Sequence, residues 1–260
     1  MALSNAAAAV VASTRFGFAA KPGELDLIAH DPRGWALAQL RGAAAPLPGN
    51  LPPASRMVAL MLEARRDKSA DKKEFNTQMR DVYLAEIEAR IRQAAQTDAP
   101  FTERLAHFWS NHFTVSAFRP FVRGFAVAFE REAIRPHVGA RFADMLLAAE
   151  SHPAMLLYLD NALSIGPDSM AGVRQGKGLN ENLGREILEL HTLGVDGGYT
   201  QADVEALARI LTGWSVARLR DDAPGSFKFY ERAHEPGAKT LLGRRYAENG
   251  QGEGVEALRD

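Results

Sequence analysis

The chain contains no cysteine, no apolar stretch approaching the roughly 20 residues that span a bilayer, and a formal net charge of only −1. The first absence excludes both a disulfide framework and a thiolate metal site, and it fits an oxidising or a reducing compartment equally well. The second leaves no transmembrane helix and predicts a soluble chain. Near-zero charge argues against nucleic-acid binding by phosphate neutralisation, which needs a basic surface. Arg exceeds Lys, but abundant Ala accompanies it, as a GC-rich coding sequence would give, and no partner follows from that excess.

What is present is length and helical periodicity. A chain of 260 residues can bury a substantial core. The run Ala6 to Ala12 is short, lacks a preceding basic region and reads as a small N-terminal helix. Phe75, Met79, Val82, Tyr83, Ile87 and Ile91 recur at helical spacing, with Arg80, Glu86, Glu88 and Arg90 on other faces, which predicts the longest helix over 71–96. Further helices are predicted over 101–114, 120–135, 139–150, 153–159, 182–193 and from Thr200 to Trp214, the last opened by Thr200 and Asp203 as a capping box. Four prolines and one glycine in 43–53 form a linker and a possible sub-boundary within a single helical domain spanning 1–260. Residues 162–179 read as a long loop carrying Arg174 and Lys177. Two β-prone runs, Ser226 to Tyr230 and Lys239 to Leu242, predict one small hairpin near the C-terminal end. The fold class is therefore mainly α, an irregular multi-helix bundle. Residues 254–260 read as the opening of a helix without a C-cap, so the chain is expected to be part of a longer protein.

Several familiar signatures fail on spacing. Gly172 to Gly178 has three residues where a phosphate loop needs four, and Gly178 where it needs Ser or Thr. His234-Glu235 lacks a second histidine at 238, Ser169 lacks the flanking glycines of a nucleophile elbow, and Asp196-Gly197-Gly198 lacks the alternating oxygens of a calcium loop. On the helix 101–114, Phe101, Leu105, Phe108, Trp109 and His112 share one face, while His107 lies about 140° away from His112. His112 reads first as a hydrogen-bonded core histidine and second as a ligand; His107 is the freer group.

The stretch Asn180 to Gly194 crowds amide, guanidinium, carboxylate and imidazole groups together. Leu183, Ile187, Leu190 and Gly194 form its apolar stripe, and Asn182, Arg185, Glu186 and Glu189 its polar one, with Arg185 and Glu189 placed as an i,i+4 pair. A solvated, salt-bridged face would need no function. The other reading makes Glu186 and Glu189 general bases or metal ligands, with His191 able to reach a buried cation or carboxylate.

Asn180 to Gly194, continued by Asp196-Gly197-Gly198-Tyr199-Thr200-Gln201-Ala202-Asp203-Val204 and Thr212-Gly213-Trp214, closely resembles the bacterial family called domain of unknown function 1800. So do Arg15 to Phe18, Asp31 to Trp35, Phe108 to Phe113, His152 to Asn161, His234 and Gly237 to Gly243. The resemblance implies a mostly helical, exported or periplasmic bacterial protein, often encoded beside a second family numbered 1501, within members much longer than this chain. No family-wide activity comes with it.

Two functions are expected from different classes. In the first, a polar pocket lined by Asn182, Arg185, Glu186, Glu189 and His191, joined by His107 or His112 and by Asp160, carries out metal-assisted or carboxylate-based hydrolysis. Glu186 or Glu189 would activate water, Arg185 would hold an anionic group, and His191, Glu186 and His112 would bind a divalent metal. In the second, the chain is a non-catalytic scaffold for a co-encoded partner, its carboxylates locked in buried ion pairs. The discriminating feature is whether the stripe meets a cavity or is packed solid.

Overall fold

The computed structural model describes residues 4–67, 71–176 and 178–260. Lys177 therefore lies outside the described residues. Three short helices open the chain: α1 (Asn5–Arg15), α2 (Glu24–His30) and α3 (Pro32–Ala38). Ser4 and Asp31 cap α1 and α3 through their side-chain oxygens, and Ala9, Ala12 and Ile28 form a small core beneath Ala29 and Trp35. Residues 43–53 contain no helix or strand, as their prolines require. Their carbonyls are nonetheless held down: Arg135 Nε donates to Ala45 O at 2.7 Å and Arg131 Nη2 to Pro52 O at 2.6 Å.

The main core is built by α4 (Ala54–Arg66), α5 (Lys72–Gln96), α6 (Pro100–His112) and α7 (Pro120–Phe129), followed by α8 (Phe142–Glu150) and α9 (Pro153–Tyr158). Helix α7 packs on α4, α5 and α9. It does not continue to Arg135 as a regular helix, because residues 130–134 widen into a π segment that ends in a 3-10 turn over 135–137. Helix α5 matches its expected limits, but its buried stripe is Met79, Glu86 and Ala89, and Ile91 is exposed. A charged residue occupies a core position there because Arg131 meets it at 2.9 Å.

The loop after α9 contains a 3-10 turn over 161–163 and the short helix α10 (Met170–Gln175). Next come α11 (Asn182–Glu186) and a second π segment over 187–192, closed by Gly194 at φ 89°, whose N–H donates to Leu188 O at 3.1 Å. Helix α12 (Gln201–Ile210) begins at the expected Thr200–Asp203 capping box. It crosses α11 closely: a Cβ on Gly184 would stand 3.0 Å from the Ala208 backbone nitrogen.

Helix α12 stops four residues before Trp214, because Gly213 (φ 84°) turns the chain into strand β1 (Trp214–Val216). Both β-prone runs are strands, but they do not pair with each other. Strand β2 (Phe227–Phe229) lies antiparallel to β1 with Trp214 opposite Phe229, and β3 (Lys239–Leu241) pairs with β4 (Arg244–Tyr246). Leu242 and Gly243, at φ 49° and 77°, make the tight turn that hairpins favour, and Leu at the first left-handed position hides that turn in the sequence. The last element is α13 (Gln251–Ala257). No helix among the described residues is long and apolar enough to cross a membrane.

Candidate functional site

The residues proposed for one pocket lie in four different surroundings. On the outer side of α11, Asn182 is exposed and its N–H donates to Asn180 Oδ1 at 2.9 Å. Arg185 reaches Glu181 at 3.0 Å and Gln201 Oε1 at 2.8 Å, so its i,i+4 partner is the preceding carboxylate and not Glu189. Glu189 instead faces Tyr199, whose hydroxyl is held above its ordinary range by desolvation and by that carboxylate. Asp160, at a left-handed φ of 58°, pairs with Arg119 at 3.4 Å.

His191 turns inward. A π segment advances about 80° per residue against the 100° of an α-helix, so the expected stripe through Leu190 is displaced. Leu183, Ile187, Leu188 and His191 are buried, whereas Leu190 is 54% exposed. His191 Nδ1 lies 2.8 Å from Oε1 of Glu150, which ends α8 and is fully buried. The approach is close but poorly angled, and neither Glu150 oxygen receives another hydrogen bond. Burial raises the Glu150 pKa, opposed by His191 and His112, while the Glu186 carboxylate raises it further. His112, half-buried, has its Nε2 2.9 Å from the His191 carbonyl, the hydrogen-bonded core role expected first.

His107 belongs to a separate cluster. Glu103, His107 and Glu130 bring ligand atoms within 4.8 Å of one another, on α6 and the first π segment. Arg135 already spans this group, donating from Nη1 to Glu103 at 2.8 Å and to Glu130 at 3.0 Å, while its Nη2 pairs with Glu103. Arg90 meets Glu130 at 2.7 Å, and Ser110 donates to it at 2.9 Å. Two guanidiniums thus supply the charge a cation would bring. The buried face of α6 is Thr102, Glu103 and Ala106, not the aromatic face, and Phe108 is 58% exposed.

A third buried cluster joins the C-terminal elements. His234 Nδ1 donates to Thr212 O at 2.8 Å, so Nε2 is left to face Glu253 at 2.6 Å. Lys239 Nζ also reaches Glu253, at 2.9 Å, and Glu235 pairs with Arg209. Every carboxylate here has a cationic partner.

Glu103, Glu130, Arg135, Glu150, Lys239 and Glu253 were not among the residues singled out from the sequence. Glu103 was the most accessible of them, since it lies one helical turn before His107. Glu150 carries no local signal; only the packing of α8 against the second π segment brings it to His191.

The metal ligands expected from sequence, His112, Glu186 and His191, are not among the described groups whose ligand atoms converge within 4.8 Å. Cavities of about 450 Å³ between α4, α5 and α7 and of about 340 Å³ beside α10 contain none of residues 182–191. Among the described residues, His112, Glu186 and His191 therefore do not form a convergent ligand set.

Fold and site together define a mostly helical protein whose ionisable side chains are gathered into buried carboxylate–histidine clusters. The chain belongs to the family described as Protein of unknown function (DUF1800), whose model matches residues 11–260. Comparison with curated proteins and with solved structures gave no match.

Proposed function

We propose that this chain acts as a non-catalytic, partner-binding helical scaffold, with the co-encoded protein of the family numbered 1501 as the partner that the family resemblance implies. One observation carries this reading: polar residues expected to converge on a pocket are instead engaged by different neighbours, Arg185 by Glu181 and Gln201, Asp160 by Arg119 and His191 by Glu150, and aromatic side chains lie exposed beside His112. Phe108 and Phe142 are 58% and 41% exposed and both flank Trp109 and His112 in ring contact. Leu190 and Leu193 are exposed on the neighbouring π segment and its end, which abut His112 through the His191 carbonyl. Exposed apolar side chains beside such buried polar clusters suit protein association better than substrate turnover.

A second reading keeps carboxylate-based hydrolysis. Its support is the Glu150–His191 pair, which has no Arg or Lys among its partners, unlike the other two clusters. Glu150 would be the base there, with His191 positioned by it.

Co-expression with the co-encoded protein separates the two. Association is expected to survive purification and to be lost in Phe108→Ser with Phe142→Ser, while elemental analysis of the chain finds no stoichiometric metal. Absence of association, or stoichiometric metal that disappears in His191→Ala with folding retained, would reject the scaffold.

A further inference from the structure

The cleft of about 340 Å³ beside α10 is lined by Arg174, Arg218, Arg220 and Arg232 around Tyr230. Among the described residues, no carboxylate lines it. The acidic group nearest in the hydrogen-bond network, Asp221, is already committed: it accepts from the Tyr230 hydroxyl at 2.5 Å and the Arg218 N–H at 2.7 Å, and it pairs with Lys228 at 2.8 Å. Those bonds hold its pKa far below the ordinary carboxylate range, with Lys228 and Tyr230 the largest causes. Asp221 therefore fixes the cleft wall while its charge is matched by Lys228.

The guanidinium of Arg218 lies over the Tyr230 ring, 4.6 Å from its centroid, which orients it before any ligand arrives. Arg232 follows on a 3-10 turn anchored by the Gly166 N–H to Ala233 O hydrogen bond of 2.9 Å, and that turn packs on α10, which carries Arg174. Elsewhere in the chain arginines such as Arg90, Arg131, Arg135 and Arg209 face carboxylates. Four arginines lining one cleft, in a chain of net charge −1, give a locally positive surface that attracts an anion.

We propose that this cleft is a binding site for a phosphate-bearing ligand. Planar guanidinium forks match phosphate oxygens bidentately, and the volume is that of a small-molecule site. The phosphate can belong to a free metabolite or to a lipid headgroup. Met170 and Val173, 67% and 76% exposed on α10 beside Arg174, would lie against the acyl region in the second case.

The test uses the whole chain with two probes, inorganic pyrophosphate by calorimetry and flotation with phosphatidylglycerol against phosphatidylcholine vesicles. Arg218→Gln with Arg232→Gln is expected to weaken the bound probe by about tenfold or more, since two charge-assisted contacts are lost. Arg15→Gln with Arg33→Gln, at the remote N-terminal helices, should leave binding unchanged. Pyrophosphate binding that depends on the cleft assigns a soluble ligand, and cleft-dependent flotation with the anionic vesicles alone assigns a headgroup. Failure of both probes, or equal binding by the cleft variant and the parent, overturns the proposal. Thermal melting of each variant confirms folding, which the exposed positions of all four arginines favour.

Discussion

His191 Nδ1 stands 2.8 Å from Glu150 Oε1 in a place where both side chains are closed to solvent and neither has an Arg or Lys partner. The other buried carboxylates among the described residues, Glu86, Glu103, Glu130, Glu235 and Glu253, each meet a guanidinium or an ammonium. The pair is thus the least compensated charge in the interior.

That isolation fixes a pH dependence. Burial, the largest influence on Glu150, raises its pKa from the usual 4.5. Above that value the folded chain retains a proton that the unfolded chain has released, so this group's contribution to stability falls as pH rises through the window. Glu150→Gln has nothing to titrate, so the variant should gain on the parent as pH rises above the ordinary carboxylate value in urea unfolding. A variant that loses ground as pH rises would show that Glu150 is held as an anion by a cation.

Arg135 is 1% exposed and holds two carboxylates. Arg135→Met should cost about 3–5 kcal/mol at neutral pH, because it leaves Glu103 and Glu130 buried with less compensation. Burial pushes the Glu103 pKa up, but His107 and Arg135 outweigh it and hold the group below 4.5. Stability from such a group is present above the unfolded value and lost as pH falls through the folded one, so the penalty should shrink in acid. Guanidinium unfolding at about pH 7 and about pH 3 measures both.

The π segment makes neighbouring leucines unequal. Leu188→Ala should destabilise by about 2–5 kcal/mol, since the side chain is 3% exposed. Leu190→Ser should stay within about 0.5 kcal/mol, since it lies outside the core. Equal losses in thermal unfolding would mean that the segment is a regular helix.

Gly254 sits against Trp214: a Cβ there would stand 2.5 Å from the indole Cζ2. Gly254→Ala should cost about 1–3 kcal/mol and shift the Trp214 emission, because α13 must move away from a buried ring. An unchanged spectrum with unchanged stability would show that α13 packs elsewhere.

The sequence alone determined the helical class, because residues such as Phe75, Met79 and Val82 repeat at a period that belongs to the helix itself. It also determined the irregular 43–53 segment, through proline's fixed φ and missing donor, and the start of α12, through the local Thr200–Asp203 exchange. Each of these depends on neighbours within a few residues. Tertiary structure alone decided which strand pairs with which, since β1 and β3 take partners chosen by the turns at Gly213 and at Leu242-Gly243. It also decided which acids are interior: Glu86, Glu103 and Glu150 read as surface residues until Arg131, Arg135 and His191 arrive from distant positions. Burial of a charge depends on its partner, and Arg131, Arg135 and His191 lie 45, 32 and 41 residues along the chain from those acids.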